Sequence, residues 1–263
     1  MLELGSYWGF YSLSLLQKRP KAKCHLIEPL SDNLYCGKLN FKLNNRKSLG
    51  IIGVTGSGKT TLIKLITKIY NIEAGEILFD NNSINEYDLE CLRKQIGVVS
   101  QDSFLFSDSI INNIRFGKEK ATLKEVENVC KIAGIHNEII KFSNGYETIL
   151  GERGINLSGG QKQRICIARA LIKEPKILIL DDCLSALDSE TEEKIILSLN
   201  SILKNTTTII SSHRLSSVQN LNEIIVLDKG KIVQKGNHEL LINQNGYYKD
   251  VYSKQLTKKD DKI

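Results

Sequence analysis

The sequence lacks three features that would each have pointed to a broad class of protein. It has no apolar run near the roughly 20 residues that a membrane-spanning helix needs, and no signal-peptide pattern at its N-terminus. Its six cysteines form no CxxC pair, which argues against a metal site or a disulfide framework. Its net charge of +6 comes from lysines spread along the chain, which favours solvated surfaces over a nucleic-acid groove. We therefore expect a soluble cytosolic chain, or one docked on a membrane protein, with no nucleic-acid partner.

A glycine-rich segment, GVTGSGKT, occupies residues 53–60, after the apolar run SLGIIG and before a helical pattern. Strand, loop and helix in this order are the setting of the phosphate loop GxxxxGK[ST]. Backbone N–H groups and the positive helix end favour phosphate, while Lys59 adds a point charge and Thr60 can ligate Mg²⁺. The alternative is a glycine-rich turn that only resembles the motif. We predict an ATP site that consists of Gly53, Thr55, Gly56, Ser57, Gly58, Lys59, Thr60 and Thr61.

A second glycine-rich turn, LSGGQ, occupies residues 157–161 and opens another helical pattern. Ser158 is a good helix N-cap, and Gly159 and Gly160 allow close approach to the backbone. Capping alone could explain the serine. The alternative is a second phosphate-binding surface on the same chain.

Three further apolar segments, which read as buried strands, each end in polar side chains. They are residues 96–100 before Gln101, residues 176–180 before Asp181 and Asp182, and residues 206–212 before His213. Taken alone, Gln101 would be an ordinary loop glutamine and His213 a structural or solvated histidine. Between residues 121 and 142, Leu123, Val126, Val129, Ile132 and Ile135 recur at helical spacing, which predicts a packed helix face.

In this order the motifs resemble the ATP-binding cassette (ABC) family over about residues 37–255, most closely the exporters with fused membrane and ATPase halves. The resemblance implies an α/β P-loop NTPase fold, with a RecA-like parallel sheet and an inserted helical subdomain at about residues 102–161. It implies a dimer with a second ABC ATPase domain, as homo- or heterodimer, and a transmembrane domain that docks near residues 104–114. The implied catalytic residues are Gln101, Asp182 and His213; the implied Mg²⁺ ligands are Thr60, Gln101 and Asp181; and the implied signature residues, which face a partner's ATP, are Ser158, Gly159, Gly160 and Gln161.

The sequence departs from the family pattern at Asp182, where the family has a glutamate that polarises the attacking water. Aspartate is one methylene shorter, about 1.5 Å of reach. Because base catalysis depends on hydrogen-bond distance to the water, we expect slow turnover at this chain's own site. An Asp-Asp pair resembles one half of heterodimeric exporters. The signature would then serve a partner's ATP better than the chain serves its own.

The N-terminal residues depart from the family more widely, because no adenine-stacking aromatic stands at the usual place and Tyr35 is the nearest substitute. Residues 1–44 instead resemble the start of an FkbM-type S-adenosylmethionine-dependent methyltransferase, with a glycine turn and Glu28 after a second strand. The rest of such a domain is absent, so we do not expect S-adenosylmethionine binding. We predict a partial Rossmann-like βαβ fragment at residues 1–36 and an ABC ATPase domain at residues 37–263.

The sequence thus predicts an ATPase subunit that powers an exporter, peripheral on the cytoplasmic face of a membrane through its transmembrane partner. Three alternatives stay open. One is a non-transport ABC ATPase, although such proteins usually carry coiled-coil insertions or a tandem cassette. The others are a methyltransferase and a truncated chimeric chain with no independent transport function.

Overall fold

The computed structural model describes residues 2–4, 25–27, 39–43, 48–72, 75–79, 82–203 and 206–260. The chain divides into two compact units, residues 1–37 and residues 38–263. In the smaller unit, strands β1 (Leu2–Leu4) and β2 (His25–Ile27) pair in parallel, at the two predicted strand positions. The predicted glycine turn, Glu28 and Tyr35 lie outside the described residues.

A six-stranded sheet forms the centre of the larger unit. Its strands are β4 (Ser48–Gly53), β7 (Ile96–Val99), β8 (Ile177–Asp181), β9 (Thr207–Ser211), β10 (Glu223–Asp228) and β11 (Lys231–Gly236). Their order across the sheet is β11-β10-β4-β9-β8-β7. All neighbours pair in parallel except β10 and β11, which form a hairpin. A smaller sheet contains β3 (Leu39–Leu43), β5 (Gly75–Phe79) and β6 (Asn82–Ser83). The predicted strands of the parallel sheet are confirmed.

Successive residues of the central strands face opposite sides of the sheet, and both sides are buried. Ile51, Ile179 and Ile209 pack in one hydrophobic cluster with the helix that follows the phosphate loop. Their neighbours Ile52 and Leu180 pack in the other cluster, with the helices that follow β7 in the chain. Continuous apolar strands are the pattern of a parallel sheet covered on both faces.

Helices cover both faces of this sheet. They are α1 (Lys59–Ile66), α2 (Leu89–Gln95), α3 (Ile110–Arg115), α4 (Leu123–Ile132), α5 (His136–Ile139), α6 (Gly159–Leu171), α7 (Ser189–Leu203), α8 (His238–Asn243) and α9 (Tyr247–Asp260). Side-chain caps begin several of them: Asp88 caps α2, Ser109 caps α3, and Thr122 forms a capping box with Glu125 at α4. Each such cap contributes about 1 kcal/mol.

The predicted helical stretch between residues 121 and 142 is two helices, because Gly134 has a φ of +68° and ends the first one. The helices pack through Val126, Val129 and Ile135, as the spacing predicted. The prediction was wrong for Leu123, which is 48% exposed at the first turn of α4.

Among the described residues, none of the helices contains an apolar stretch that could span a membrane.

Candidate nucleotide-binding site

The predicted site residues of the sheet follow the carboxyl ends of four adjacent parallel strands. The strand order β4-β9-β8-β7 places the phosphate loop, His213, the Asp181–Asp182 pair and Gln101 in a row along one edge. This edge is where ligands bind in open α/β sheets. Sequence spacing could not give this order, because the strands adjacent in the sheet are not adjacent in the chain.

The phosphate loop is an open glycine cradle between β4 and α1. Gly56 and Gly58 have φ angles of +80° and +103°, and a Cβ added at Gly56 would meet no atom within 4 Å. Gly53 is the opposite case, since a Cβ there would lie 2.3 Å from the Leu227 carbonyl oxygen. The buried Ser57 hydroxyl has no hydrogen-bond partner among the described residues. The open space at Gly56 and the start of α1 suit a phosphate group.

Lys59 lies inside the loop rather than in solvent. Its ammonium donates to the carbonyl oxygens of Gly53 at 2.8 Å and Val54 at 3.1 Å, and the residue is 8% exposed. Burial lowers the pKa of Lys59, and the carboxylates of Asp182 and Asp181 act in the opposite direction. A buried cation whose partners are mostly carbonyl oxygens is placed to receive an anionic ligand.

Asp181 is the last residue of β8 and is 3% exposed. Burial raises the pKa of its carboxyl group, and the Thr60 hydroxyl and Lys59 act against that shift. Such a carboxylate, beside a hydroxyl, fits Mg²⁺, which proteins hold through one or two carboxylates together with substrate phosphates. Within the described parts of the chain, no group of three or more His, Cys, Asp or Glu side chains could hold a metal ion by itself. The Asp181 carboxylate and the Thr60 hydroxyl are ligand types that suit Mg²⁺ when a nucleotide supplies the other ligands.

Asp182 lies beside His213 across β8 and β9. Its amide donates to the Ser211 carbonyl oxygen at 2.9 Å, and its Oδ2 is 3.7 Å from the His213 Nε2. The backbone of Asp182 has a φ of +45°, a left-handed conformation that residues other than glycine rarely adopt. The side chain of His213 is 41% exposed, and Gln101 is exposed at the end of the row. The predicted catalytic residues thus share one edge of the sheet.

The LSGGQ turn lies at the start of α6, whereas the phosphate loop lies at the start of α1. Ser158 caps α6 in a capping box with Gln161, and both Ser158 and Gly159 are exposed. The Gln161 side-chain amide makes two hydrogen bonds: its Oε1 accepts from the Ser158 amide, and its Nε2 donates to Glu138 at 2.9 Å. These bonds hold the turn in shape and connect it to α5.

Four residues near these sites were missed by the sequence reasoning. Glu138 accepts from Gln161 and from Arg164, which fastens α6 to α5. Arg214, next to His213, forms an ion pair with the buried Glu192. Only the position of Arg214 beside His213 could have drawn attention to it, because the contacts join segments far apart in the chain.

Comparisons with known proteins agree on one family. The protein-family model described as ABC transporter matches residues 36–185. "Multidrug resistance-like ATP-binding protein MdlA" of Buchnera aphidicola subsp. Schizaphis graminum is 50% identical over 229 residues, which are 87% of this chain and 39% of that protein. The Escherichia coli protein of the same name is 46% identical over 227 residues, 86% of this chain and 38% of its own. The solved "Structure of a bacterial Atm1-family ABC exporter with ATP bound" is 38% identical, with a TM-score of 0.79, and the match covers 81% of this chain and 38% of that one.

The chain therefore belongs to the ABC transporter family and carries its nucleotide-binding ATPase domain. It spans only 39% and 38% of the length of the two curated relatives. The family resemblance predicted from the motifs is confirmed. The resemblance of residues 1–44 to a methyltransferase gains no support from these comparisons and stays a hypothesis.

Proposed function

We propose that this chain binds ATP between its own phosphate loop and the LSGGQ turn of a second ABC ATPase domain, and that hydrolysis there powers an exporter. The observation that carries the proposal is that the chain has two glycine-rich surfaces at the starts of different helices. The phosphate loop follows β4 and opens α1, whereas the LSGGQ turn opens α6 and exposes Ser158 and Gly159. A two-chain arrangement lets each surface meet ATP.

Different groups of residues bind the phosphates, bind Mg²⁺ and activate the attacking water. Gly53, Thr55, Gly56, Ser57, Gly58, Lys59, Thr60 and Thr61 hold the phosphates. Thr60, Gln101 and Asp181 hold Mg²⁺, which neutralises charge on the phosphates when bound. Asp182 accepts a proton from the attacking water. His213, 3.7 Å from Asp182, orients the carboxylate and the water toward the phosphate. Ser158, Gly159, Gly160 and Gln161 complete the partner's site.

The chain's own site turns over slowly in this proposal, because Asp182 replaces the family's glutamate. The left-handed backbone at Asp182 and the bond from its amide to Ser211 fix the position of the backbone from which the short side chain extends. A fixed backbone cannot move forward to recover about 1.5 Å of lost reach. The partner domain, rather than this chain, supplies the faster site when it carries glutamate.

A transmembrane partner docks on an aromatic surface formed by Phe104, Phe106 and Phe116. These rings are 38%, 38% and 69% exposed, and their neighbouring centroids lie 5.1 Å and 4.8 Å apart. Arg169 stacks on Phe106 and also donates to the Phe104 carbonyl oxygen at 2.8 Å, which makes the surface rigid. Exposed clustered aromatics mark protein interfaces. Through this partner the chain is peripheral on the cytoplasmic face of a membrane.

The test of the proposal is ATP-dependent dimerisation. We expect the purified 263-residue chain to sediment as a monomer without nucleotide and to shift to a dimer with millimolar ATP and Mg²⁺. An Asp182→Asn variant, which removes the carboxylate charge at nearly constant volume, should trap the dimer for longer. A chain that binds ATP but stays monomeric at every protein concentration would contradict the two-chain arrangement. A chain that binds no ATP would contradict the site itself.

A further inference from the structure

A chain of hydrogen bonds leads from Asp182 into the turn that follows it. The Ser185 hydroxyl donates to the Asp182 carbonyl oxygen at 2.8 Å, and the Ser185 amide reaches the same oxygen at 3.4 Å. Leu187 closes the turn with a bond from its amide to the Leu184 carbonyl oxygen. The backbone of Asp182 is therefore tied to residues 185–187, and a shift of the turn would move Asp182.

Arg214 holds the outer side of that turn. One nitrogen of its guanidinium donates to the Leu187 carbonyl oxygen at 3.0 Å and to Glu192, and another donates to the Ser185 carbonyl oxygen at 3.3 Å. The planar fork of arginine makes these three bonds from two separate nitrogens, whereas the three N–H donors of lysine all lie on one nitrogen.

Glu192 holds the loop on the other side of His213. Its carboxylate is 2% exposed, and it accepts from the hydroxyls of Ser217 and Ser216 as well as from Arg214. The Ser212 hydroxyl in turn bonds to Ser217 and accepts from the Arg214 amide at 2.9 Å. The buried Glu192 carboxylate thus fixes Arg214, on one side of His213, directly. It fixes Ser212, on the other side, through Ser217.

We propose that Arg214 is a positioning residue that couples the turn at residues 185–187 to the His213 loop and so sets the approach of Asp182 to His213. The inference rests on the proposed function, because it assigns these two side chains to hydrolysis. The same turn touches the signature, since a Cβ at Gly160 would lie 2.9 Å from the Leu187 side chain. Arg214 therefore links the chain's own catalytic pair to the surface that serves the partner's ATP.

The test is Arg214→Lys, which keeps the charge beside Glu192 and removes the fork. We expect the kcat for ATP hydrolysis to fall about tenfold or more, with KM for ATP within about threefold of the parent. Turnover is measured in the native chain and in an Asp182→Glu background, where our account expects a higher rate. Amide exchange at Ser185 and Leu187 should become about tenfold faster, with exchange in the phosphate loop unchanged. If Arg214 only stabilised the fold, its substitution would not lower kcat while leaving KM for ATP and exchange in the phosphate loop unchanged.

Arg93→Lys is the matched control, because Arg93 donates to a backbone carbonyl oxygen, that of Lys68, at 3.1 Å, outside the proposed site. It should leave kcat within about twofold. Unchanged kcat and unchanged exchange in Arg214→Lys would overturn the inference alone, with ATP binding and dimerisation intact. Loss of ATP binding in the native chain would overturn the proposed function as well.

Ser185→Ala tests the same set of hydrogen bonds if Arg214→Lys does not fold. Ser185 is exposed, and the substitution removes only the 2.8 Å bond from its hydroxyl to Asp182. We expect a loss of about threefold in kcat with KM unchanged, since one neutral hydrogen bond is lost. An unchanged kcat in this variant would overturn the coupling.

Discussion

The Asp182→Glu variant is expected to hydrolyse ATP about 10- to 1,000-fold faster than the native chain under conditions where both form dimers. Glutamate adds one methylene, about 1.5 Å, between the backbone and the carboxylate. The backbone at residue 182 is fixed by the bond to Ser211, so the added length goes toward the attacking water rather than into a backbone shift. Each tenfold in rate corresponds to about 1.4 kcal/mol, a gain that one well-placed base can provide.

The measurement is steady-state phosphate release, with Asp182→Asn as the control that lacks a base. The native chain should lie between the two variants in rate, and ATP affinity should change little across the three. A rate for Asp182→Glu no higher than the native rate, with a dimer present, would contradict the assignment of Asp182.

Lys59→Ala is expected to weaken ATP binding by about 100-fold or more, since a charge-assisted bond to phosphate is among the stronger contacts of such a site. The ammonium lies 2.8 Å from the Gly53 carbonyl oxygen, inside the loop that receives the phosphates. Its removal also leaves the buried Asp181 and Asp182 without the cation that acts on them electrostatically. Both losses disfavour an anionic ligand.

Titration calorimetry with ATP and Mg²⁺ checks this expectation, and Lys64→Ala is the matched control. Lys64 lies on the same helix, where it donates to the Tyr70 hydroxyl at 3.1 Å instead of to the phosphate loop. The control should keep ATP affinity within about twofold. Equal affinities for Lys59→Ala and the native chain would show that the phosphates bind elsewhere.

Much of the fold was predictable because its signals are local. The buried strands are continuous apolar runs, and the cap at Ser158 is a short motif with one geometry. The rule that parallel strands end at one edge places the site residues along that edge, but their order along it came only from the strand order β4-β9-β8-β7. Element positions therefore needed no knowledge of distant contacts.

The remaining features depend on which segments meet in the folded chain. The bond from Gln161 to Glu138 joins residues 23 positions apart, and the Arg214–Glu192 pair joins residues 22 positions apart. No periodicity encodes such pairs. The exposure of Leu123 has the same origin, because the spacing of α4 marks its apolar face but not how far the neighbouring helices extend over its first turn.

The use of the two nucleotide surfaces by different chains is tested most directly by mixing two disabled variants, both in the Asp182→Glu background. Lys59→Ala disables the phosphate loop. Gly159→Glu places a negative charge on the signature, and it should fold, since a Cβ there meets Ala186 at an ordinary 3.6 Å and an acidic residue suits a helix N-terminus.

Each variant alone should be nearly inactive, because every dimer site then contains one disabled surface. In a mixed dimer one site receives both intact surfaces, so an equimolar mixture should recover roughly a quarter of the parent's ATP hydrolysis if pairing is random. A mixture as inactive as its components, while the parent dimerises with ATP, would contradict the account.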